Sequence, residues 1–443
     1  MNVADAYIDE FSRVIESTDV IRLNGKVTDV VGLIIISVGP NVSLGEICSI
    51  VDKQGRKLCD AEVVGFKDGK VLSLALGEVE NISPSCEVIA SGHSFRMNIS
   101  EKLLGRIIDG FGNPIDGKGP IDGGVSCSIY REPPNPLQRQ RIETALQTGV
   151  RSIDGLMTVG KGQRMGIFAG SGVGKSVMLG MIARNTSAAI SVIVLIGERG
   201  REVREFIEKD LGEDGLKRSV VVVATSDKPA LMRIKGAFLG TTIAEYFRDQ
   251  GLDVVLMMDS VTRFAMAQRE VGLTIGEPPT SKGYTPSVFS LLPKLLERAG
   301  ASENGTITGF YTVLVDGDDM TEPIADAVRS ILDGHLVLSR KLANKAQFPA
   351  IDPLQSVSRV MPDVVTDDHR IRAMTFKEIL NTYQEAEDLI NIGAYVKGSN
   401  PEIDHAIGKI DHLRIFLRQD IFEISTYDDA VNKLNQIIEK PLA

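Results

Sequence analysis

The sequence predicts an α/β protein in which a domain built on a parallel sheet follows a small β-barrel and precedes a helical domain. Three observations support this fold class. Continuous apolar runs alternate with helical stretches between Gln163 and Val315. Short runs rich in valine and isoleucine precede them, and the pattern is helical after about residue 367. A chain of 443 residues is long enough for two or three such domains.

Composition and charge exclude several classes of protein. No apolar run approaches the roughly 20 residues needed to cross a bilayer, and the acidic first residues lack the order of a secretory signal. We therefore expect a cytoplasmic protein. A net charge of -10 argues against a surface that grips nucleic acid, so no nucleic-acid partner is expected. The four cysteines have no metal-ligand spacing and are predicted to be reduced packing residues.

Residues 1–18 are predicted to form an amphipathic helix. Val3, Tyr7, Phe11 and Val14 recur at three- and four-residue steps, with charged residues between them. The apolar stripe could fold back on the barrel or dock a partner helix. Its place at the extreme terminus favours a partner, because terminal segments are loose unless something holds them.

Residues 19–90 are predicted to form the β-barrel, from runs such as GKVTDVVGLIIISV and GKVLSLAL that end in turns. Turn-rich stretches at 109–120 and 132–136 then lead into the second domain, which we place at residues 91–366. Its runs RMGIF, SVIVLIG, SVVVVAT, VVLMMD and FYTVLV indicate parallel strands covered on both faces. Ligand-binding loops should gather at their carboxyl ends. Residues 367–443 are predicted to be helical.

A phosphate-binding loop is predicted at AGSGVGKS, Ala169 to Ser176, between strand RMGIF and helix VMLGMIA. Its glycines let backbone N–H groups surround phosphate oxygens, its lysine reaches the β and γ phosphates, and the Ser176 hydroxyl can ligate magnesium. Ala169 stands where the strict pattern has glycine. The predicted nucleotide-binding residues here are Gly170, Ser171, Gly172, Val173, Gly174, Lys175, Ser176 and Val177.

Three further residues are candidates for chemistry on a bound nucleotide. Asp259 ends the run VVLMM, where a carboxylate can hold the magnesium shell. Glu198 ends SVIVLIG and could act as the general base on water, or could pair with Arg199 or Arg201. Arg359 follows the last predicted strand and is a poor candidate for contacting its own chain's nucleotide. It could act across a subunit boundary or be a surface arginine.

Four segments resemble the type III export ATPases, which are relatives of the catalytic beta subunit of rotary ATP synthase. They are GVRSIDGLMTVGKGQRMGIFAGSGVGKSVMLGMIARN, GERGREV (197–203), DSVTRFAMAQRE (259–270) and PAIDPLQSVSRVM (349–361). The likeness extends over nearly the whole chain. Within the family, GDDMTEPIADAVRSILDGH, KAQFPAID and YQEAEDLINIGAYVKGSNPEIDHAI resemble the flagellar members more than the virulence injectisome members.

The resemblance implies roles for individual residues. Lys175 and Ser176 match the family's phosphate-loop lysine and magnesium hydroxyl, and Asp259 matches its second acidic motif. The remaining matches are the catalytic glutamate, the basic residue beside it, the intersubunit arginine and an aromatic residue that stacks on adenine: Glu198, Arg199, Arg359 and Phe348. Phenylalanine at 348, where the family often has tyrosine, keeps the stacking face.

The resemblance also implies a RecA-like central domain, ATP and Mg²⁺ as ligands, and a homo-hexamer with ATP at the subunit junctions. Expected partners are a stator-like regulator at the N-terminal helix, a coiled-coil stalk-like export protein in the ring centre, export-gate membrane proteins and chaperone–substrate complexes. The expected location is the inner face of the cell membrane at the export apparatus, by peripheral association. Alternatives are an injectisome export ATPase, a rotary ATPase catalytic subunit, an RNA-translocating hexamer and an inactive ring member.

Overall fold

A computed structural model describes residues 24–77, 81–170, 172–315 and 319–438. The predicted helix over residues 1–18 and the loop residue Ser171 lie outside the described residues. The chain divides into two compact units, Met1–Phe95 and Arg96–Ala443.

The first unit contains a closed barrel of six antiparallel strands in the order β1-β2-β5-β4-β3-β6. Alternation of buried and exposed residues along the first strand, with Val27 inside, is typical of a barrel wall. Val27, Ile35, Ile50, Val63 and Val88 fill its core. The strands are β1 Gly25–Val31, β2 Ile34–Val38, β3 Glu46–Val51, β4 Lys57–Lys67, β5 Lys70–Ala75 and β6 Glu87–Ser94. The predicted barrel is confirmed.

The second unit is built on a nine-stranded sheet. Its strands are β8 Ile107–Asp109, β12 Arg164–Ala169, β13 Ile190–Ile196, β14 Ser219–Ala224, β15 Asp253–Asp259, β16 Gly300–Ala301, β17 Thr306–Leu314, β18 Gly334–Leu338 and β19 Val357–Ser358. They lie side by side in the order β19-β18-β12-β17-β15-β13-β14-β8, with β16 paired beside β17. Neighbouring strands in this order are parallel, except that β19 and β16 pair antiparallel. Two small sheets pair β7 Arg96–Ile99 with β9 Val125–Ser128, and β10 Ala145–Leu146 with β11 Val159–Gly160.

The five apolar runs singled out from the sequence are all strands of this parallel sheet. Every residue of β13 and β14 is buried, which explains why these strands are continuously apolar rather than alternating. The sequence analysis did not single out β8 or β18, which extend the sheet at either side. β8 has only three residues, and β18 alternates between fully and partly buried positions.

Helices follow or connect the strands, as expected for an α/β domain. They are α1 Arg151–Leu156, α2 Lys175–Asn185, α3 Gly200–Glu205, α4 Gly212–Lys217, α5 Ala230–Arg248, α6 Val261–Thr274, α7 Pro286–Leu296, α8 Pro323–Ile331, α9 Arg340–Asn344, α10 Met361–Val364, α11 Asp367–Asn391, α12 Pro401–Leu417 and α13 Tyr427–Ile437. A π-helical turn, Phe206–Leu211, joins α3 to α4. Short 3₁₀ turns occur at Glu101–Leu103, Pro136–Gln138 and Ser281–Gly283.

The predicted helical region at the carboxyl end is confirmed. Each of its three long helices begins at a side-chain cap: Thr366 for α11, Asn400 for α12 and Thr426 for α13. The rings of Phe376 and Phe416 pack 5.3 Å apart between α11 and α12. Among the described helices, none is both long enough and apolar enough to span a membrane.

Candidate active site

The phosphate loop connects β12 to α2 at the carboxyl edge of the sheet. Gly172 and Gly174 have φ values of 78° and 86°, a region that side-chain-bearing residues rarely adopt. Lys175 is the first residue of α2, so the loop leads into a helix N-terminus with free N–H groups. Ala169 is the last residue of β12, fully buried and paired with Leu314. Alanine in place of glycine therefore falls within the strand and leaves the loop unchanged.

Two acidic residues converge on the loop lysine. The Lys175 ammonium donates to Glu198 Oε1 at 3.3 Å and to Oδ1 of Asp259. The convergence follows from the sheet order, because β13 and β15 are neighbours and both end at the edge where β12 ends. Burial would lower the pKa of Lys175, but the charges of Asp259 and Glu198 outweigh it and raise this pKa. The lysine is therefore charged at neutral pH.

Glu198 follows β13 after Gly197, which has a φ of 71°. Burial, together with the nearby charge of Asp259, raises the pKa of Glu198 to about 7 although Lys175 opposes this shift. The ion pairs that the sequence left open for Glu198 do not form in this structure. Arg199 instead contacts Glu202 at 3.4 Å, and Arg201 contacts Glu205 at 3.2 Å.

Asp259 ends β15 and is almost completely buried. Its Oδ1 accepts a 2.7 Å hydrogen bond from the hydroxyl of Thr312, in the neighbouring strand β17. The sequence analysis missed Thr312, because only the pairing of β15 with β17 brings the two residues together. This threonine fixes the orientation of the carboxylate.

The loop and Glu198 border an open cleft of about 480 Å³, which Ser176, Val177 and Arg199 also line. Arg199 is the N-cap residue of α3, and its side chain is 83% exposed. Arg263 lines the same cleft and was also missed. Its Nε is buried without a hydrogen-bond partner among the described residues. Its position four residues after Asp259, in the first turn of α6, is a signal that could have identified it.

Phe348 lies beside the phosphate loop. A methyl group placed on Gly174 would be 3.6 Å from Cδ1 of the Phe348 ring. Phe348 is 44% exposed, so part of the residue is open to a ligand. The carbonyl of Phe348 accepts a hydrogen bond from the Gln419 N–H at 3.0 Å, which places the segment after α12 on the same side. The structure thus places Phe348 beside the phosphate loop, as the resemblance noted in the sequence implied.

Of the predicted site residues that the structure describes, Arg359 is the one that lies away from the phosphate loop. It follows β19, which pairs with the start of β18, and its N–H donates to the Asp333 carbonyl at 3.0 Å. The Asp333 N–H donates to the carbonyl of Arg164, the first residue of β12. The phosphate loop begins at the other end of that strand, five residues further on, or roughly 16 Å along an extended chain. The exposed Arg359 is therefore at the opposite edge of the sheet from its own loop.

No group of three or more histidine, cysteine or acidic side chains that could hold a metal ion occurs within the described part of the chain. The oxygen ligands predicted for magnesium are the Ser176 hydroxyl, which lines the cleft, and the Asp259 carboxylate, which contacts Lys175. This sparse set suits Mg²⁺, which keeps several waters and binds through one or two protein groups together with substrate phosphates.

Comparisons with known proteins agree with this architecture. Residues 149–358 match the nucleotide-binding domain of the ATP synthase alpha/beta family, residues 27–92 match that family's beta-barrel domain, and residues 365–436 match the T3SS EscN ATPase C-terminal domain. The chain is 58% identical to the flagellum-specific ATP synthase of Bacillus subtilis over 96% of its own length and 97% of the relative's. It is 52% identical to the type 3 secretion system ATPase of Xanthomonas euvesicatoria, over 94% and 95% of the two chains.

A solved structure of the assembled ATPase EscN with its central stalk EscO, from the type III secretion system of enteropathogenic E. coli, is also similar. Its TM-score is 0.87 at 47% identity, with 93% of this chain and 99% of that chain covered. The barrel, the parallel sheet and the loop at its carboxyl edge define a P-loop ATPase with the nucleotide-binding domain of the ATP synthase alpha/beta family. More narrowly, the chain belongs to the type III export ATPases, the family of flagellum-specific ATP synthases and type 3 secretion system ATPases. The resemblance noted in the sequence is confirmed.

Proposed function

We propose that this chain hydrolyses ATP to ADP and phosphate in a homo-hexameric ring and thereby energises the type III export of flagellar components. The observation that carries the proposal is the convergence of Glu198 and Asp259 on Lys175, at the carboxyl edge of the sheet where β12, β13 and β15 end. A protein that only bound nucleotide would have no need for a partly buried carboxylate with a pKa of about 7 at this position.

Each residue has a role that follows from its chemistry. Lys175 binds the β and γ phosphates and leaves its two carboxylate partners when these anions arrive. Glu198, with its pKa of about 7, accepts a proton from the attacking water. Among the described residues, the Arg199 guanidinium contacts Glu202 at 3.4 Å. Once this long contact breaks, the guanidinium can turn toward the negative charge that develops on the phosphate in the transition state.

Mg²⁺ would be held by the Ser176 hydroxyl and the Asp259 carboxylate, and when bound it neutralises charge on the phosphates. Thr312 keeps the Asp259 carboxylate turned toward this position through its 2.7 Å hydrogen bond. Phe348 offers an exposed ring face beside the loop, on which adenine can stack.

Arg359 requires a neighbouring subunit. Because it lies at the edge of the sheet opposite its own loop, it can reach a γ phosphate only if that nucleotide belongs to another copy of the chain. A guanidinium supplied in this way stabilises charge in the transition state. The similarity to the assembled ATPase EscN supports a ring in which each junction combines the loop of one subunit with the arginine of the next.

The partners follow from the family. A coiled-coil stalk in the ring centre is proposed from the EscN structure that contains the stalk EscO. A stator-like regulator would bind residues 1–18, and hydrolysis would release or unfold chaperone-bound substrates at the export-gate membrane proteins. The protein would act in the cytoplasm, peripherally attached to the membrane. The segments GDDMTEPIADAVRSILDGH, KAQFPAID and YQEAEDLINIGAYVKGSNPEIDHAI, which resemble the flagellar members, favour the flagellar role over an injectisome.

The test is an ATP hydrolysis assay on Lys175→Ala and Glu198→Gln, with Glu208→Gln as the matched control. Glu208 lies near Glu198 in the chain but pairs with Arg204 in an exposed position. Loss of a general base typically costs 10²- to 10⁴-fold, so we expect Glu198→Gln to lose about that much turnover and still bind ATP. Full turnover in either cleft variant would refute the catalytic assignment.

A second assay tests the flagellar role. The chain should restore filament growth to a bacterium that lacks its flagellum-specific ATP synthase, and the Glu198→Gln variant should not. Restoration of secretion only in a strain lacking its injectisome ATPase would support the injectisome role instead.

A further inference from the structure

The main chain that carries Arg359 is held by a buried hydrogen-bond network. The N–H of Arg359 donates to the Asp333 carbonyl at 3.0 Å, and its guanidinium contacts the Leu332 carbonyl at 3.3 Å. The preceding residue, Ser358, donates its hydroxyl to the Thr158 carbonyl at 2.8 Å. The base of this arginine is therefore fixed from two sides, although its side chain is exposed.

Gln163 lies at the centre of that network and is completely buried. Its Nε2 donates to the Ser358 hydroxyl at 3.0 Å and to the Asp333 carbonyl at 3.1 Å. Its Oε1 accepts the N–H of Gly160 at 2.9 Å. The Gln163 amide thus links Gly160 at the end of β11, Asp333 before β18 and Ser358 before Arg359.

Only an amide side chain can make this set of contacts. The site needs an acceptor for the Gly160 N–H and donors for two oxygens, which glutamine provides and glutamate or methionine does not. The packing around it is close. A methyl group on Gly334 would lie 2.5 Å from the Val357 carbonyl and 2.8 Å from the Met165 sulfur. This close packing limits movement of β19 toward β18, and the hydrogen bond from Gln163 to Ser358 holds the residue before Arg359 in place.

Asp333 connects the same network to the first residue of β12. Its carboxylate accepts the Arg164 backbone N–H at 3.1 Å and the Arg164 guanidinium at 3.0 and 3.1 Å. Its carbonyl accepts bonds from both Gln163 and Arg359. The arginine is therefore tied to a rigid strand of the central sheet rather than to a loop.

We propose that Gln163 is a positioning residue for Arg359, which aims this arginine at the nucleotide of the neighbouring subunit. The inference rests on the proposed function, because it assigns to Gln163 an effect on another subunit's site. A displacement of about 1 Å can cost 10²-fold in rate. We therefore expect Gln163→Met to lower kcat by about 10- to 100-fold with little change in the KM for ATP.

The competing explanation is that Gln163 supports the phosphate loop of its own chain, since it immediately precedes β12 and the loop follows that strand. Mixed rings distinguish the two explanations. In the first mixture, Gln163→Met is combined with Glu198→Gln, so that some junctions pair an intact cleft with an intact, correctly placed Arg359. In the second mixture, Gln163→Met is combined with Arg359→Ala, and no junction contains a correctly placed arginine if Gln163 acts on Arg359.

Recovery of hydrolysis in the first mixture only is the expected result. Recovery in the second mixture only would show that Gln163 acts on its own loop, and would overturn the proposal. Recovery in both mixtures, or in neither while all chains assemble, would also overturn it, because Gln163 would then not act specifically on Arg359. A reference mixture of Arg359→Ala with Glu198→Gln tests the shared site itself. If that mixture stays inactive, the intersubunit role of Arg359 fails, and the positioning role fails with it.

Two further variants keep the test decisive. Ser358→Ala removes the hydroxyl between Gln163 and the Thr158 carbonyl, and it replaces Gln163→Met in every mixture if the latter does not fold. Gln355→Met is the matched control. The Gln355 amide lies on the same segment, is exposed and bonds only to Asp352 within the described residues, so this change should leave kcat near that of the unsubstituted chain.

Discussion

The hydroxyl of Thr312 donates a 2.7 Å hydrogen bond to Oδ1 of Asp259, the same oxygen that the Lys175 ammonium contacts. Within the described part of the chain, no hydrogen bond reaches the other carboxylate oxygen, Oδ2. Two donors on one oxygen restrict the carboxylate plane and leave its second oxygen for the magnesium shell that we propose. Thr312 thus orients the Asp259 carboxylate from β17, a strand that contributes no residue to the phosphate loop.

Thr312→Val should therefore impair catalysis more than folding. Valine has nearly the same shape but cannot donate, and a hydrogen bond to a charged group contributes about 1.5 to 3 kcal/mol. We expect kcat to fall by about tenfold or more at low Mg²⁺ and to recover in part at high Mg²⁺. The measurement is the Mg²⁺ dependence of hydrolysis, with Thr312→Ser as the control that keeps the donor. An unchanged Mg²⁺ dependence would contradict this role.

The pH dependence of hydrolysis should report Glu198. Burial and the charge of Asp259 raise its pKa to about 7, and a general base acts only when ionised. The value of kcat/KM should therefore fall by about tenfold per pH unit below pH 7 and level off above it. The residual activity of Glu198→Gln should lack this transition. A rate for the unsubstituted chain that stays flat down to pH 5 would be inconsistent with Glu198 as the base.

Phe348 should act on nucleotide affinity rather than on the chemical step. Stacking of a base on an aromatic ring contributes about 1 to 3 kcal/mol, so Phe348→Ala should raise the KM for ATP by about tenfold. We expect little change in kcat. Phe348→Tyr retains the ring and should keep the KM of the unsubstituted chain. A large loss of kcat at unchanged KM would contradict a role of the Phe348 ring in ATP binding.

The sequence was sufficient for those parts of the fold and site that depend on local pattern. The buried runs of β13 and β14 are continuous in the chain, so their residue types alone indicated strands, as the structure confirms. The loop from Gly170 to Ser176 is equally local in sequence, and its phosphate contacts stay a prediction. A three-residue strand such as β8 carries too few residues for a periodic signal, and it is a strand only because it pairs with β14.

Residues that act across strands could not be predicted in the same way. Thr312 meets Asp259 because β17 lies beside β15, and Gln163 meets Ser358 although 195 residues separate them. The partner of Glu198 was likewise open, because the sequence offered Arg199 or Arg201, whereas the sheet order brings Glu198 to Lys175. Topology also places Arg359 at the opposite edge of the sheet from its own phosphate loop, a separation that the sequence could only suggest.

A stability prediction concerns the ion pair between Arg298 and Glu245, whose side chains are 0% and 1% exposed. Removing one partner of a buried pair leaves an uncompensated charge and costs about 3 to 5 kcal/mol, so Glu245→Ala should lower the free energy of unfolding by that amount. Denaturant unfolding followed by circular dichroism measures it. The control, Glu208→Ala, breaks the exposed pair with Arg204 and should change the free energy by less than about 1 kcal/mol. Equal losses in both variants would contradict the difference in burial.

The central claim is that each ATP site is shared between two subunits, with Glu198 on one side and Arg359 on the other. Mixing Arg359→Ala chains with Glu198→Gln chains tests it most directly, because a mixed ring contains junctions in which both groups are intact. Hydrolysis should rise above the level of either variant alone and should peak near equal proportions. A mixture that assembles but remains as inactive as its components at every ratio would contradict the shared site.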